Sequence, residues 1–294
     1  MISSQKIRIV TWNCCKGDFT KKDSIFNDYN PGIAIIQEIK KPEKTDNHCI
    51  WVPNTLTKEL GVCVISSENL ELQHCGGSPG LPEVFIPVKV SGKVTFNLLA
   101  VWTQKAGKYI ESFDRILEEY NEFLQSAPSV IVGDFNSNPI WDKNHKKFNH
   151  RMLNEKLEKE FNLVSAYHTH NKIQPGLETD NESTFFMYGH KDKPFHIDYC
   201  YVPKNWSIEC AKIGSYDNWC NKEKISKERK SDHCPLIVDL LITDSDKKSE
   251  KNIIKPGKER FCADIVITGH APVPESAKQL LKSVSERNAS TKMK

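Results

Sequence analysis

Nowhere in this 294-residue sequence do two cysteines stand in Cys-x-x-Cys spacing, although it has ten cysteines. Close-spaced zinc or redox pairs are thereby excluded. Cys63, in GVCVIS, and Cys200, in HIDYCYV, sit inside apolar runs where a thiol behaves as a small hydrophobe, so the cysteines are expected to be reduced. Also missing is any stretch approaching the roughly 18 apolar residues of a membrane span, so no membrane-crossing segment is expected. The opening MISSQKIRIVTWN lacks the apolar segment and small-residue cleavage site of a secretory signal, which makes the cytoplasm the expected location. Charge of one sign is scarce too: the net formal charge is +3. Residues 244–294 hold 11 Lys or Arg against 7 Asp or Glu, leaving 30 against 31 in residues 1–243. A protein held to nucleic acid mainly through phosphate contacts would show a basic face. Composition therefore offers no support for tight, non-specific nucleic-acid binding.

What is present is a globular composition, 38% hydrophobic and 27% charged, with length for one large domain or two ordinary ones. Apolar runs with strand character occur at Ile7–Thr11, Ile33–Gln37, Val62–Ser66, Val84–Val90, Val94–Trp102, Val130–Val132, Thr184–Met187, His196–Val202 and Leu236–Leu241. Between them, Phe113, Ile116, Leu117, Tyr120, Phe123 and Leu124 follow helical spacing with Glu118, Glu119 and Glu122 off that stripe. A second, more charged helix is expected from about Lys146 to Lys159. This mixture predicts an α/β protein with more than one sheet layer. After Leu241 the character changes. A folded body over 1–243, a charged linker over 244–260 and a basic tail over 261–294 are expected, with ADIVIT as a short strand and Pro274–Arg287 as a helix in the tail.

Polar groups recur at the ends of these strands. In SVIVGDFNSNP a buried strand runs into a glycine and a polar loop, and Asp134 and Asn136, two apart, would point the same way. Glu38 ends the run AIIQE, where a carboxylate is costly unless a cation or donors satisfy it. Hard oxygen ligands of this kind suit Mg²⁺ or Mn²⁺. Asn13 ends the opening strand in the same manner. Near the end of the body, HIDY contributes Asp198 and SDHCP contributes Asp232 and His233; a carboxylate such as Asp198 could orient the imidazole and favour its charged form. Taken singly, each is as well read as a turn or surface residue.

Together, WN at 12–13, QE at 37–38, GDFN at 133–136, IDY at 197–199 and SDH at 231–233 occur in an order that resembles the endonuclease/exonuclease/phosphatase superfamily, over about residues 6–241. The resemblance implies a four-layer α/β sandwich of two packed, mixed β-sheets flanked by helices, with a Mg²⁺- or Mn²⁺-dependent hydrolytic site where strand ends meet. It implies Glu38, with Asn13 and Asp232, as metal-binding residues. Asp134, Asn136, Asp198 and His233 would be catalytic: the first two position and activate the attacking water, while His233, held by Asp198, contacts the phosphoryl oxygens. Where many relatives have His or Tyr after the central strand, LLAVWTQ has Trp102, which can donate a hydrogen bond but cannot protonate a leaving group. Trp102 is then a core residue or a stacking surface for substrate.

His196, two residues from Asp198, is a candidate phosphate contact. His168 and His170 could be a metal-binding pair if they lay on a strand, where they would share a face, although a loop or surface position is the plainer reading. Trp141, Trp219 and Tyr188 are either core or groove residues. The leading functional expectation is a nuclease acting on nucleic acid, DNA ahead of RNA. A phosphatase or phosphodiesterase of a small phosphorylated molecule or lipid head group is the alternative, and a binding protein that keeps the fold without catalysis is a third.

Overall fold

The computed structural model describes residues 4–56, 58–76, 84–103, 110–221 and 230–243. The linker expected at 244–260 and the tail strand and helix lie outside these residues. The first half of the chain runs β1 (Ser4–Gly17), α1 (Lys22–Tyr29), β2 (Ile33–Lys40), β3 (Cys49–Pro53), β4 (Leu60–Ser66), β5 (Glu71–His74), β6 (Val84–Ser91) and β7 (Phe96–Trp102). Then come α2 (Glu111–Glu119), α3 (Asn121–Ser126), β8 (Ser129–Asp134), α4 (His150–Phe161), β9 (Leu163–Ser165) and α5 (Ala166–Asn171). The last part holds β10 (Phe185–Phe186), β11 (Pro194–Phe195), β12 (Asp198–Pro203), β13 (Ser207–Ile213), α6 (Tyr216–Trp219) and β14 (Leu236–Thr243).

One six-stranded sheet has the order β13-β14-β1-β2-β4-β3, and the other the order β5-β6-β7-β8-β12-β9. Both are mixed. β1 runs parallel to β2 and β7 parallel to β8, while β14 and β12 are antiparallel to their partners. The alternation of side chains along each strand explains the layering. From β1, Ile7 and Ile9 enter a core shared with Val130 and Val132 of β8, whereas Val10, Trp12 and Cys14 face the other way, towards Ile25 of α1 and Trp219 of α6. In the second sheet, Phe96, Leu98, Ala100 and Trp102 of β7 point into the shared core, and Leu99 and Val101 pack outward against Phe113, Ile116 and Leu117 of α2. Both sheets are thus buried on two faces, giving a four-layer α/β sandwich.

Several local expectations are revised. The helix expected over 113–124 is two helices, because Tyr120 leaves helical geometry (φ −97°, ψ 16°) between α2 and α3. The next helix begins later than expected, at His150, where the Asn149 side chain accepts from the Met152 N–H. Only Phe185 and Phe186 of the strand expected at 184–187 are extended and paired, opposite Phe195 and Pro194. The strand expected from His196 starts at Asp198, since the Thr184 hydroxyl accepts from the N–H groups of both Ile197 and Asp198. His168 and His170 lie on α5 and not on a strand; there Ser165 and His168, three apart, meet at 2.7 Å. None of the nine cysteines among the described residues is in a disulfide. No helix among those residues is long and apolar enough to cross a membrane.

Candidate active site

Five strand ends meet at one edge of the sandwich. β1 runs parallel to β2 with Asn13 opposite Gln37, and the pairing of both strands is interrupted just there. The irregularity in β2 falls between Ile36 and Ile39, and within it Glu38 has φ +55°. A glutamate held in the left-handed region within a bulge is strained, and such strain concentrates at functional positions. The bulge brings the Glu38 carboxylate to 3.2 Å from the Asn13 side-chain amide.

From the other sheet, β8 delivers Asp134. The step before it requires Gly133: its φ is +149°, and a Cβ there would lie 1.9 Å from the Val101 carbonyl oxygen. Asp134 is fully buried. Its carboxylate accepts from the Asn13 amide at 3.0 Å, from the Asn136 backbone N–H at 2.9 Å and from the Asn136 amide at 3.1 Å. Asn136 has φ +46°, a conformation that asparagine tolerates, and it also donates to the Thr103 carbonyl at 2.7 Å. Asn13 therefore ties Glu38 of one sheet to Asp134 of the other.

Opposite Asp134 in the antiparallel ladder is Asp198. One of its oxygens pairs with His233 Nδ1 at 2.9 Å, and the other is buried with no hydrogen-bond partner. Asp134, Asp198 and His233 each bring one ligand-type atom within 4.8 Å of the others. The segment carrying Asp232 and His233 is fastened to β1 twice: the Ser231 hydroxyl donates to the Asn13 carbonyl at 2.6 Å, and the Trp12 indole donates to the His233 carbonyl at 2.9 Å. Phe185 covers the imidazole, with ring centres 4.7 Å apart.

These contacts set the charge states. Burial, and then the neighbouring Asp198 charge, push the Asp134 carboxyl up to about 7, against the opposing pull of His233 and its two asparagine partners. Burial alone would discharge His233. The Asp198 carboxylate, by charge and by hydrogen bond, reverses that with help from Asp134 and Asp232 and raises the imidazole to about 10. The site thus sets a proton-accepting carboxylate beside a cationic donor.

Among solved structures, truncated Caenorhabditis elegans TDP2 is similar with a TM-score of 0.56 and 13% identity, over 81% of this chain and 98% of that one. An endonuclease/exonuclease/phosphatase from Bacteroides vulgatus is similar with a TM-score of 0.57 and 16% identity, over 80% of this chain and 98% of that one. This chain has the endonuclease/exonuclease/phosphatase fold. Humanised D. rerio TDP2 matches the same fold here with a TM-score of 0.57 and 11% identity, over 80% and 98% of the two chains. Neither a family model nor a curated protein matches the sequence. Identities this low carry the endonuclease/exonuclease/phosphatase fold and no substrate.

Within this fold, Asn13, Glu38, Asp134 and Asn136 form one hydrogen-bonded group and Asp198 and His233 another, brought together where Asp134, Asp198 and His233 converge, with Asp232 next to them in the chain. Two other candidates lie apart. Trp102 is paired in register with Asp134, but its side chain belongs to the core between the sheets and is 4% exposed. His196 is buried, with Nδ1 2.7 Å from the Glu182 carbonyl and its ring against His168; burial, then His168, lowers its pKa to about 3. Trp219 is core, edge-on to Trp12; Trp141 lies against Phe195, and Tyr188 is exposed. Thr184, Ser231 and Thr103 are supports that sequence reasoning missed. Only Ser231 had a local signal, as the first residue of the SDH tripeptide.

Proposed function

We propose that this chain is a divalent-metal-dependent phosphodiester hydrolase, a DNA endo- or exonuclease in its leading form, that works by in-line attack of water at phosphorus. The observation carrying this reading is the buried Asp134 carboxylate, held by Asn13 and Asn136 and set beside the His233–Asp198 pair. With its pKa near 7, Asp134 can take a proton from the attacking water at neutral pH. As water oxygen bonds to phosphorus, the bond to the leaving oxygen breaks. The cationic His233, kept in place by Asp198, faces the negative charge that grows on the non-bridging oxygens. Asn136 orients the water and contacts the phosphate.

The donor set fits a hard dication. Glu38 and Asp134 offer carboxylate oxygens that converge on the Asn13 amide at 3.2 and 3.0 Å, and such oxygens suit Mg²⁺ or Mn²⁺. Glu38, with Asn13 and Asp232, would hold the ion, which when bound neutralises charge developing on the phosphoryl group. The Asn13 side-chain oxygen Oδ1 accepts from the Cys15 N–H at 3.0 Å and keeps a second lone pair for the ion, while the amide nitrogen holds the two carboxylates together. A second reading, hydrolysis of a small phosphorylated molecule or lipid head group, is favoured by the near-neutral charge of residues 1–243.

The deciding experiment is hydrolysis of duplex, single-stranded and abasic-site DNA, RNA, and small phosphomonoesters and phosphodiesters, each with Mg²⁺, Mn²⁺ or chelator. Metal-dependent DNA cutting is expected, with Asp134→Asn, Glu38→Gln and His233→Ala each slowing turnover by about 10² to 10⁴ while the circular dichroism spectrum stays unchanged. Turnover of a small ester alone would transfer the assignment to the second reading. Near wild-type rates in all three variants would remove the site assignment.

A further inference from the structure

A second group of ligating side chains lies outside the proposed hydrolytic site, between α5 and the segment leading into β12. His168, Glu178 and His196 each place one ligand-type atom within 4.8 Å of the other two. The side chains of His168 and Glu178 are 4% and 5% exposed, and His196 is 1% exposed. Their tautomers follow from their partners. His196 Nδ1 faces the Glu182 carbonyl at 2.7 Å, and a carbonyl can only accept, so Nδ1 carries the proton and Nε2 is left as a bare lone pair. That Nε2 is buried and has no hydrogen-bond partner. Leaving it unsatisfied is costly, and a ligand would relieve that cost.

The other two ligands are equally well supported from behind. His168 Nδ1 meets the Ser165 hydroxyl at 2.7 Å, which turns Nε2 towards the Glu178 carboxylate at 2.8 Å. Glu178 in turn accepts from the Gly176 N–H at 2.9 Å and from the Asn138 amide at 3.3 Å. Imidazoles that present Nε2 forward while Nδ1 is held by a carbonyl or hydroxyl are arranged as metal-binding histidines are, with outer partners that fix the ring.

We infer that His168, Glu178 and His196 form a structural site for one divalent transition ion of the zinc type, separate from the phosphoester site. Two neutral imidazoles and a carboxylate match zinc better than Mg²⁺, which prefers oxygen ligands alone. Ligand atoms of a tetrahedral zinc stand roughly 3.3 Å apart, so the three groups would draw together on binding and a water would take the fourth position. Its role is positional. His196 stands two residues before Asp198, and the ion would fasten α5 and the Gly176–Glu178 loop to the segment that carries Asp198 to His233. This inference holds whether or not the chain is a hydrolase.

The test uses the full chain, purified without a histidine tag, with zinc measured by mass spectrometry and by competition against a chromophoric chelator. One zinc per chain is expected in the wild type and in Glu38→Gln, with affinity lowered at least about 100-fold in His196→Gln and Glu178→Gln. No stoichiometric zinc in the wild type, or zinc lost in Glu38→Gln but retained in His196→Gln, would overturn the inference. Should the buried variants fail to fold, X-ray absorption on the zinc-loaded wild type decides. A first shell with two imidazoles and oxygen supports the site, and a shell of sulfur or of oxygen alone refutes it.

Discussion

At the scale of single residues, the site is an arrangement of charges that folding has forced together. His233 keeps its proton because Asp198 sits 2.9 Å from Nδ1 and outweighs the cost of burial. This has a consequence for stability. The folded imidazole titrates at about 10 and an unfolded one near 6.5, so below that lower value both forms are protonated and the full stabilisation is present. As pH rises towards 10 the unfolded chain releases the proton while the folded chain retains it, and stability falls. The limiting slope is about 1.4 kcal/mol per pH unit. Denaturant titrations of the metal-free protein should show this decline between pH 7 and 10, and His233→Gln, which has no such proton, should flatten it. An equal slope in both proteins would mean that other groups govern the alkaline loss.

Whole elements depend on the same close fit. β8 can lie beside β7 and still turn Asp134 into the site because Gly133 has no side chain where the Val101 carbonyl stands. Gly133→Ala should therefore cost about 3 kcal/mol or more, read from the urea midpoint, with activity falling as Asp134 moves. An alanine variant of wild-type stability would show that the two strands can separate locally. Elements were legible in the sequence where both faces are buried: β1, β2, β7 and β8 read as continuous apolar runs. β13 did not, because SIECAKI alternates with half-exposed positions, and α5 did not, because its six residues are too few to display a helical period. The polar residues at strand ends could be picked out because each borders such a run, Asn13, Glu38 and Asp134 after it and Asp198, Asp232 and His233 before it. Glu38's positive φ, the Thr184 hydroxyl under Asp198 and the Ser231 bridge to Asn13 could not, since they arise from pairings between distant parts of the chain.

At the scale of the molecule, the described body ends where β14 completes its pairing, with Thr243 opposite Ser4. A chain ending at residue 243 should fold, with a melting temperature within a few degrees of the full chain and the same hydrolytic rate constants. Loss of a cooperative transition in that shortened chain would show that residues 244–294 belong to the core structure. The position of β14 has one more consequence. It lies between β13 and β1, so β1, made early, waits for β14 before its second edge is covered. His233 arrives with β14. A nascent chain that stops short of β14 therefore holds Asn13, Glu38 and Asp134 without the cation opposite them, and with an open apolar edge that a chaperone could shield.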